Sequence, residues 1–363
     1  MRGANAVMTQ ATAPRRGWTT GSCATAAAKA AWSLLRHDIC PDPVTISLPG
    51  GKEACFALNG HGKDGRTAWA SVIKDAGDDP DVTHGAIMRV TVEQASAGTG
   101  VAFRAGEGVG TITQPGLPLP PGEPAINPVP RQMIRAALLQ VTPEGADAIV
   151  TVSIADGEVL ARQTLNARLG IIGGLSVLGT TGIVIPYSCS AWIHSIHRGI
   201  DVARALNLPH IVASTGATSE NAARLRYGVS EAALIEMGDF AGGLLKYLHR
   251  HPVPRLTLAG GIAKMTKLAE GHLDLHSSRT LANPAALRSI AAPLGLSASR
   301  MAQLDAAKTI AQGYAAIADE RLGKLIAEAA CATARKTLDY PDCEIGVLVV
   351  DRQGLIVGAS ERA

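Results

Sequence analysis

From Leu169 to His197 the chain carries no Asp, Glu, Lys or Arg, and no other stretch constrains the fold as much. A charge-free run of this length is long enough to cross a bilayer, so the first question is membrane or core. The sequence LGIIGGLSVLGTTGIVIPYSCSAW argues for core: Gly173, Gly174, Gly179, Gly182 and Pro186 interrupt the apolar residues. Its Thr and Ser hydroxyls would also need partners inside lipid. The pattern predicts a buried strand, a glycine loop and a second strand, with no membrane span.

At 363 residues the chain exceeds what one hydrophobic core usually supports, which predicts two domains. Upstream of the charge-free run, Ser22 to His37 is Ala-rich and reads as a helix capped by Thr20 or Ser22. Val44 to Leu48, Ala54 to Leu58, Ala68 to Lys74 and Ile87 to Glu93 read as strands between Gly, Asp and Pro turns. Strands in succession, without helices between them, imply antiparallel pairing. Gln114 to Pro130 holds seven prolines and reads as a loop; a helix from Arg131 to Gln140 and a strand from Ala148 to Ile154 follow.

Beyond Pro186 the pattern changes. A helix is expected from Ser188 to Leu206 and a strand from His210 to Ser214. Helices from Ser219 to Tyr227 and from Ser230 to His249 precede a strand from Arg255 to Ala259. A helical region from Ser299 to Leu338, broken near Gly313 or Gly323, leads to a strand from Ile345 to Val350. Alternating strands and helices imply a parallel sheet with covered faces. The reading is an α+β domain over 1–190, then an α/β domain over 191–363.

Composition removes several function classes. With 34 Lys and Arg against 31 Asp and Glu, the net charge of +3 is too weak to imply nucleic acid. Aromatics at 3% argue against stacking on single strands. The six cysteines form no C-x-x-C and no zinc-finger spacing, so they read as reduced thiols of a cytosolic protein. The N-terminal MRGANAVMTQATAPRRG lacks an apolar core, so no signal peptide is expected and the expected location is the cytoplasm.

Four segments carry candidate chemistry. In RRGWTTGSCATAAAKAA, a Gly-Trp-Thr-Thr-Gly-Ser turn opens onto a helix, with Arg15 and Arg16 just upstream. Backbone amides there attract anions, although capping alone also accounts for Thr19, Thr20 and Ser22. In INPVPRQMI, Arg131 sits near a helix start, where a cation is electrostatically unwelcome. Either it faces an anionic ligand or it extends over the surface. Gly173, Gly174, Gly179, Thr180, Thr181 and Gly182 would expose amides and hydroxyls to a nucleoside or a carboxylate, or serve close packing. In GGIAKMTKLAEGHLDLHSS, Lys264 and Lys267 share a helix face after a parallel strand. His272, Asp274 and His276 alternate, as a metal triad, an acid–base cluster or a hydrogen-bonded surface group. STGATSEN, from Ser214, is a smaller anion-binding or capping candidate.

These segments, in this order, resemble the CbiD family of cobalt-precorrin-5B (C1)-methyltransferases of anaerobic cobalamin biosynthesis. GWTTGSCATAAAKAA, INPVPRQMI, GIIGGLSVLGTTGIV and GGIAKMTKLAEGHLDLHS carry the resemblance, and GATSEN and MGDFAGGLL add to it. One departure stands out: after GTTGIV the chain reads Ile185-Pro186-Tyr187-Ser188-Cys189-Ser190, where the family has Pro-Met-Ser and acidic residues.

The resemblance implies a first domain like the permuted α+β fold of GHMP kinases and a ribosomal domain, then an α/β domain with four parallel strands. It implies S-adenosylmethionine as methyl donor and a tetrapyrrole acceptor that brings its own cobalt, so no protein metal site is required. A polycarboxylate substrate would call on Arg15, Arg16, Thr19, Thr20, Ser22, Arg131, Lys264 and Lys267. The Gly173 to Gly182 loop would take the donor, and His272 and Asp274 would handle any proton released. Neither nucleic acid nor membrane is expected as a partner; transient contacts with neighbouring pathway enzymes are. Two other functions stay open: a nicotinamide-dependent reductase of a corrin precursor, against which the missing G-x-G-x-x-G counts, and a non-catalytic corrinoid carrier. A kinase is excluded for want of a phosphate loop with its lysine.

Overall fold

The computed structural model describes residues 13–277 and 283–360. The chain forms two units. One runs to Thr113 and resumes over Pro118–Ser188; the other comprises Gln114–Leu117 and Cys189 onwards. The four-residue excursion has a local cause: Gly116 presses against the backbone of Asp201 and Val202 so closely that a Cβ would lie 2.6 Å away.

The first unit begins with β1 (Gly17–Trp18) and α1 (Thr20–His37). It continues through β2 (Val44–Ser47), β3 (Glu53–Phe56), β4 (Gly60–Asp64), β5 (Thr67–Ile73), β6 (Ile87–Gln94), β7 (Val101–Ala105) and β8 (Thr111–Ile112). It closes with α2 (Pro128–Val141), β9 (Ala148–Ile154), α3 (Gly157–Ala161), β10 (Ile171–Ile172) and β11 (Ile183–Val184). The main sheet has the order β4-β5-β6-β9-β7, antiparallel except that β7 runs parallel to β9. Buried Val90, Val92, Val150 and Val152 alternate with less buried neighbours, as one covered face requires. α1 lies on β5 and β6 beside α2. Its buried alanines at 24, 26, 27, 28, 30 and 31 keep the helix surface thin enough for close approach. Trp32 fills the remaining volume, and its indole N–H donates to Thr142 Oγ1 at 3.0 Å. The cap of α1 is Thr19, one residue before the earliest expected position.

The glycine-rich run forms only two-residue strands, shorter than its apolar content suggests. β11 pairs with β1 and β10 with β8; Ile171, Leu175 and Val177 are buried in the unit, whereas Ile172, Leu178 and Ile185 stay about half exposed, so the expected burial holds only in part.

The second unit runs α4 (Cys189–Ala205), β12 (His210–Ser214), α5 (Ala217–Tyr227), β13 (Leu234–Glu236), α6 (Ala241–Arg250), β14 (Arg255–Gly261) and α7 (Ile262–Ala269). Then come α8 (Ala286–Ile290), α9 (Ala298–Asp305), α10 (Ile310–Ile317), α11 (Arg321–Leu338), β15 (Glu344–Val350) and β16 (Ile356–Ala359). The sheet order is β13-β12-β14-β15-β16, parallel except for β16. Ile211, Ala213, Leu256, Leu258, Val347 and Val349 meet α4, α6, α7 and α11. Val212, Leu234, Ala259, Leu348 and Val350 meet α5 on the opposite face.

Two expected helices are corrected. Ser230 to His249 contains β13, a strand of three residues that is too short to imprint a period of two on the sequence. Ser299 to Leu338 is three helices: one break, over 318–320, falls near Gly323 as expected, and a second, over 306–309, separates α9 from α10, while both glycines themselves are helical. Both glycines lie inside helices at places where neighbours leave no room for a side chain: Leu287 and Leu304 at Gly313, and the Val357–Gly358 backbone at Gly323. Among the described residues, no helix is long and apolar enough to cross a membrane.

Candidate functional site

In the first unit, the start of α1, the glycine loop and the Pro-rich entry to α2 converge. Thr19 Oγ1 accepts the Ser22 N–H at 3.2 Å, and the Thr19 N–H donates to Gly182 O at 3.1 Å. The Gly21 N–H donates to Leu178 O at 3.0 Å, and Ser22 Oγ donates to Gly182 O at 2.7 Å. Thr20 Oγ1 accepts the Leu178 N–H at 2.9 Å. The loop thus lies over the helix start, engaging amides and hydroxyls that the sequence offered to an anion. Thr19, Thr20 and Ser22 are buried.

The glycines follow from that contact. Gly179, at φ 138°, sits where a Cβ would overlap the Thr19 side chain. At Gly182 a Cβ would lie 2.8 Å from Ser22 Oγ and 2.7 Å from Leu48 Cδ2. Gly174 abuts the Gly108 backbone, and Gly21 abuts the Pro130 ring. Gly173, Thr180 and Thr181 are exposed.

An acidic loop completes this region, and sequence reasoning missed it. The Trp18 N–H donates to Asp75 O at 2.7 Å, and the Asp78 N–H donates to Arg15 O at 2.9 Å. The Arg15 guanidinium pairs with the Asp75 carboxylate. That hydrogen bond, helped by the Gly77 N–H, holds the Asp75 carboxyl down to about 2. Lys74 is only 1% exposed and meets Asp81 at 2.7 Å. Burial alone would push the Asp81 carboxyl up; the Lys74 charge and the bonds from Lys74 and Thr83 outweigh it and bring it down. Asp79 Oδ1 accepts the N–H of Tyr187 at 2.8 Å, and Tyr187 is left-handed at φ 56°. The available signal was four aspartates in seven residues, DAGDDPD, directly after a strand. Arg16, by contrast, is exposed and has no partner among the described residues.

Arg131 finds its anion inside the chain. Its Nη1 lies 2.8 Å from Glu123 Oε2, Nε donates to Ile126 O at 2.7 Å and Nη2 donates to Pro124 O at 3.0 Å. The guanidinium also lies 5.2 Å from the Phe103 ring centroid. It therefore clamps the Pro-rich loop to the start of α2. Sequence identified the misplaced cation but not its partner in the loop just upstream.

In the second unit, Lys264 Nζ donates to Thr215 O at 2.9 Å and meets Asp239 Oδ1 at 3.0 Å, joining the turn after β12 to the residues after β13. Lys267 is buried and donates to Leu275 O at 2.9 Å, whereas the Leu275 N–H donates to Asp239 O at 2.9 Å. The two lysines do not present one cationic face. Leu273 and Leu275 pack into the core, leaving exposed His272 and His276 and part-exposed Asp274 on the other side. Asp274 Oδ1 accepts the His276 N–H at 3.0 Å. The three form no metal-holding group, and no such group occurs among the described residues. Burial pushes the nearby Glu270 carboxyl up, with His272 and Lys267 opposing.

A family model described as CbiD matches residues 7–186, and one described as CbiD, C-terminal domain, matches residues 274–361. A cobalt-precorrin-5B C(1)-methyltransferase of Bradyrhizobium sp. (strain BTAi1) is 55% identical, covering 95% of this chain and 93% of its own. The chain belongs to the CbiD family. A second relative of the same name, from Agrobacterium fabrum, is 54% identical over 95% of this CbiD chain and 92% of its own. A crystal structure of a cobalamin biosynthesis protein (cbiD) from Archaeoglobus fulgidus covers 73% of the CbiD chain and 83% of its own, at 28% identity and a TM-score of 0.40.

Proposed function

We propose that this chain transfers a methyl group from S-adenosylmethionine to C1 of cobalt-precorrin-5B, giving cobalt-precorrin-6A. The observation that carries the reading is near-full-length identity of 55% to a protein named for that activity. Relatives named as methyltransferases give no support to a reductase or a corrinoid carrier. Cobalt enters as part of the substrate, and six cysteines outside any disulfide suit a cytoplasmic setting.

The reaction asks the protein mainly for alignment. The C1 electron pair forms the new C–C bond, while the breaking C–S pair stays on sulfur and turns the sulfonium into a thioether. Alignment of two bound reactants can supply roughly 7–11 kcal/mol of the barrier. Arg16 is our candidate for pairing with a macrocycle carboxylate, because its charge is unengaged. Arg15, Arg131, Lys264 and Lys267 shape the loops around them instead. His272 remains the candidate proton acceptor, since its exposed ring makes no hydrogen bond among the described residues; Asp274 orients the turn that follows it.

The test is incubation with isotope-labelled S-adenosylmethionine and cobalt-precorrin-5B, followed by mass spectrometry. One labelled methyl at C1 is expected. An unlabelled macrocycle, with the substrate shown competent by an active relative, would sink the reading.

A further inference from the structure

We propose that the methyl donor binds in the second unit, across the carboxyl ends of β13, β12 and β14, with Glu236 accepting from the ribose hydroxyls and Trp192 stacking on the adenine. The site rests on the donor named above and gives it a location other than the Gly173 to Gly182 loop, whose close approaches are filled by the chain itself.

Topology is the first argument. From β12 the chain passes to α5 on one face of the sheet; from β14, beside it, the chain passes to α7 on the other. Where neighbouring connections diverge in this way, a crevice opens beyond the strand ends, and open α/β sheets bind ligands there. Register aligns Ser214 of β12 with Glu236 of β13 and with Ala259 of β14, so three strand ends stand side by side. The crevice floor is bare backbone at Gly216 and Gly261, where an added Cβ would meet nothing within 4 Å.

The acid is the second argument. In βαβ units that bind an adenosine group, a carboxylate at the end of the second strand, about 20 residues past the glycine turn, takes the ribose hydroxyls. Glu236 ends β13, 20 residues past Gly216. Its carboxylate has no hydrogen bond or ion pair among the described residues, whereas nearby Asp239 is paired with Lys264 and nearby Glu220 accepts from Ser214. A dinucleotide would also bring a pyrophosphate and require the G-x-G-x-x-G turn, which is missing here. The sulfonium donor has no phosphate, so a turn with one glycine suffices.

Two side chains complete the cradle. Trp192 Nε1 donates to Glu236 O at 3.2 Å, and its ring lies against Gly238, yet the residue stays 42% exposed. An indole fixed at the backbone of Glu236 is a stacking surface for a purine. At the other end, the Lys264 ammonium donates to Thr215 O and forms an ion pair with Asp239 at 3.0 Å, which leaves N–H capacity for the donor's carboxylate. Two strand spacings separate Glu236 from Gly260, about 10 Å. The extended arm joining a ribose to an amino-acid carboxylate can cover that distance.

Titration calorimetry of the full chain with S-adenosylhomocysteine tests the site. Glu236→Gln should weaken binding about 10- to 100-fold with an unchanged melting temperature. A 2′-deoxy analogue should lose a similar factor on the wild type and lose nothing further on Glu236→Gln. Trp192→Phe should retain most of the affinity that Trp192→Ala loses. Wild-type affinity in Glu236→Gln, in a protein that still transfers labelled methyl, would overturn the site alone. A wild-type chain that neither binds S-adenosylhomocysteine nor transfers the label would overturn the donor reading, and the site with it.

Discussion

Replacing Arg131 with Ala separates a structural clamp from a substrate contact. The guanidinium makes two charged hydrogen bonds to backbone carbonyls, at 2.7 and 3.0 Å, and an ion pair with Glu123 at 2.8 Å. A hydrogen bond from a charged donor is worth about 1.5–3 kcal/mol. The Glu123 side chain is 41% exposed and stays solvated after the loss, so its pair adds little. The Pro124 and Ile126 carbonyls regain some water. The net expectation is a loss of about 2–4 kcal/mol from the first unit. At roughly 2–4 °C per kcal/mol for a domain of this size, the melting temperature should fall by about 4–16 °C. Arg131→Lys should recover only part of this, since one ammonium cannot serve three acceptors in a planar fork. Calorimetric melting and steady-state kinetics on the same preparations decide the matter. KM for the macrocycle, per folded molecule, should stay within a factor of two or so of the wild type, because Arg131 is only 12% exposed. An unchanged melting temperature with a KM raised tenfold or more would refute the clamp and make Arg131 a substrate ligand.

Two further outcomes follow from the same region. Gly179→Ala places a Cβ against Thr19 at a φ of 138°, so it should destabilise the first unit by about 2–4 kcal/mol while sparing affinity for S-adenosylhomocysteine; thermal melting and calorimetry report the two effects separately. The Asp75 carboxyl is held at about 2, below its unfolded value, so its stabilising contribution is present above about pH 4 and is lost as pH falls toward 2. Asp75→Asn should therefore be less stable at neutral pH and show a shallower acid melting profile between pH 4 and 2; an identical profile would remove the Arg15–Asp75 pair from the acid transition.

The sequence by itself determined the two kinds of fold, because each rests on local pattern. Strands in succession imply antiparallel pairing, as β2 with β3 and β5 with β6 show, and strands alternating with helices imply the parallel order around β12 and β14. The Ala-rich run declared α1, and glycine interruptions argued against the charge-free stretch as a membrane-spanning helix, which matches the absence of such a helix among the described residues. Spacing also drew attention to Arg131 and Lys264, whose charges do organise their surroundings. Tertiary structure decided what those charges meet. Glu123 reaches Arg131 through the Pro-rich loop, and Asp239 reaches Lys264 across two strand ends; neither pairing leaves a periodic trace. β13 was invisible because three residues cannot show a period of two, and with it went Glu236, the acid that ends it. Gly313 and Gly323 look like helix breakers in sequence but lie inside helices, because the space beside them belongs to residues distant in the chain. Propensity and periodicity act within a few residues of the backbone, whereas the partner of a charge or a glycine is chosen by packing between elements that the fold brings together.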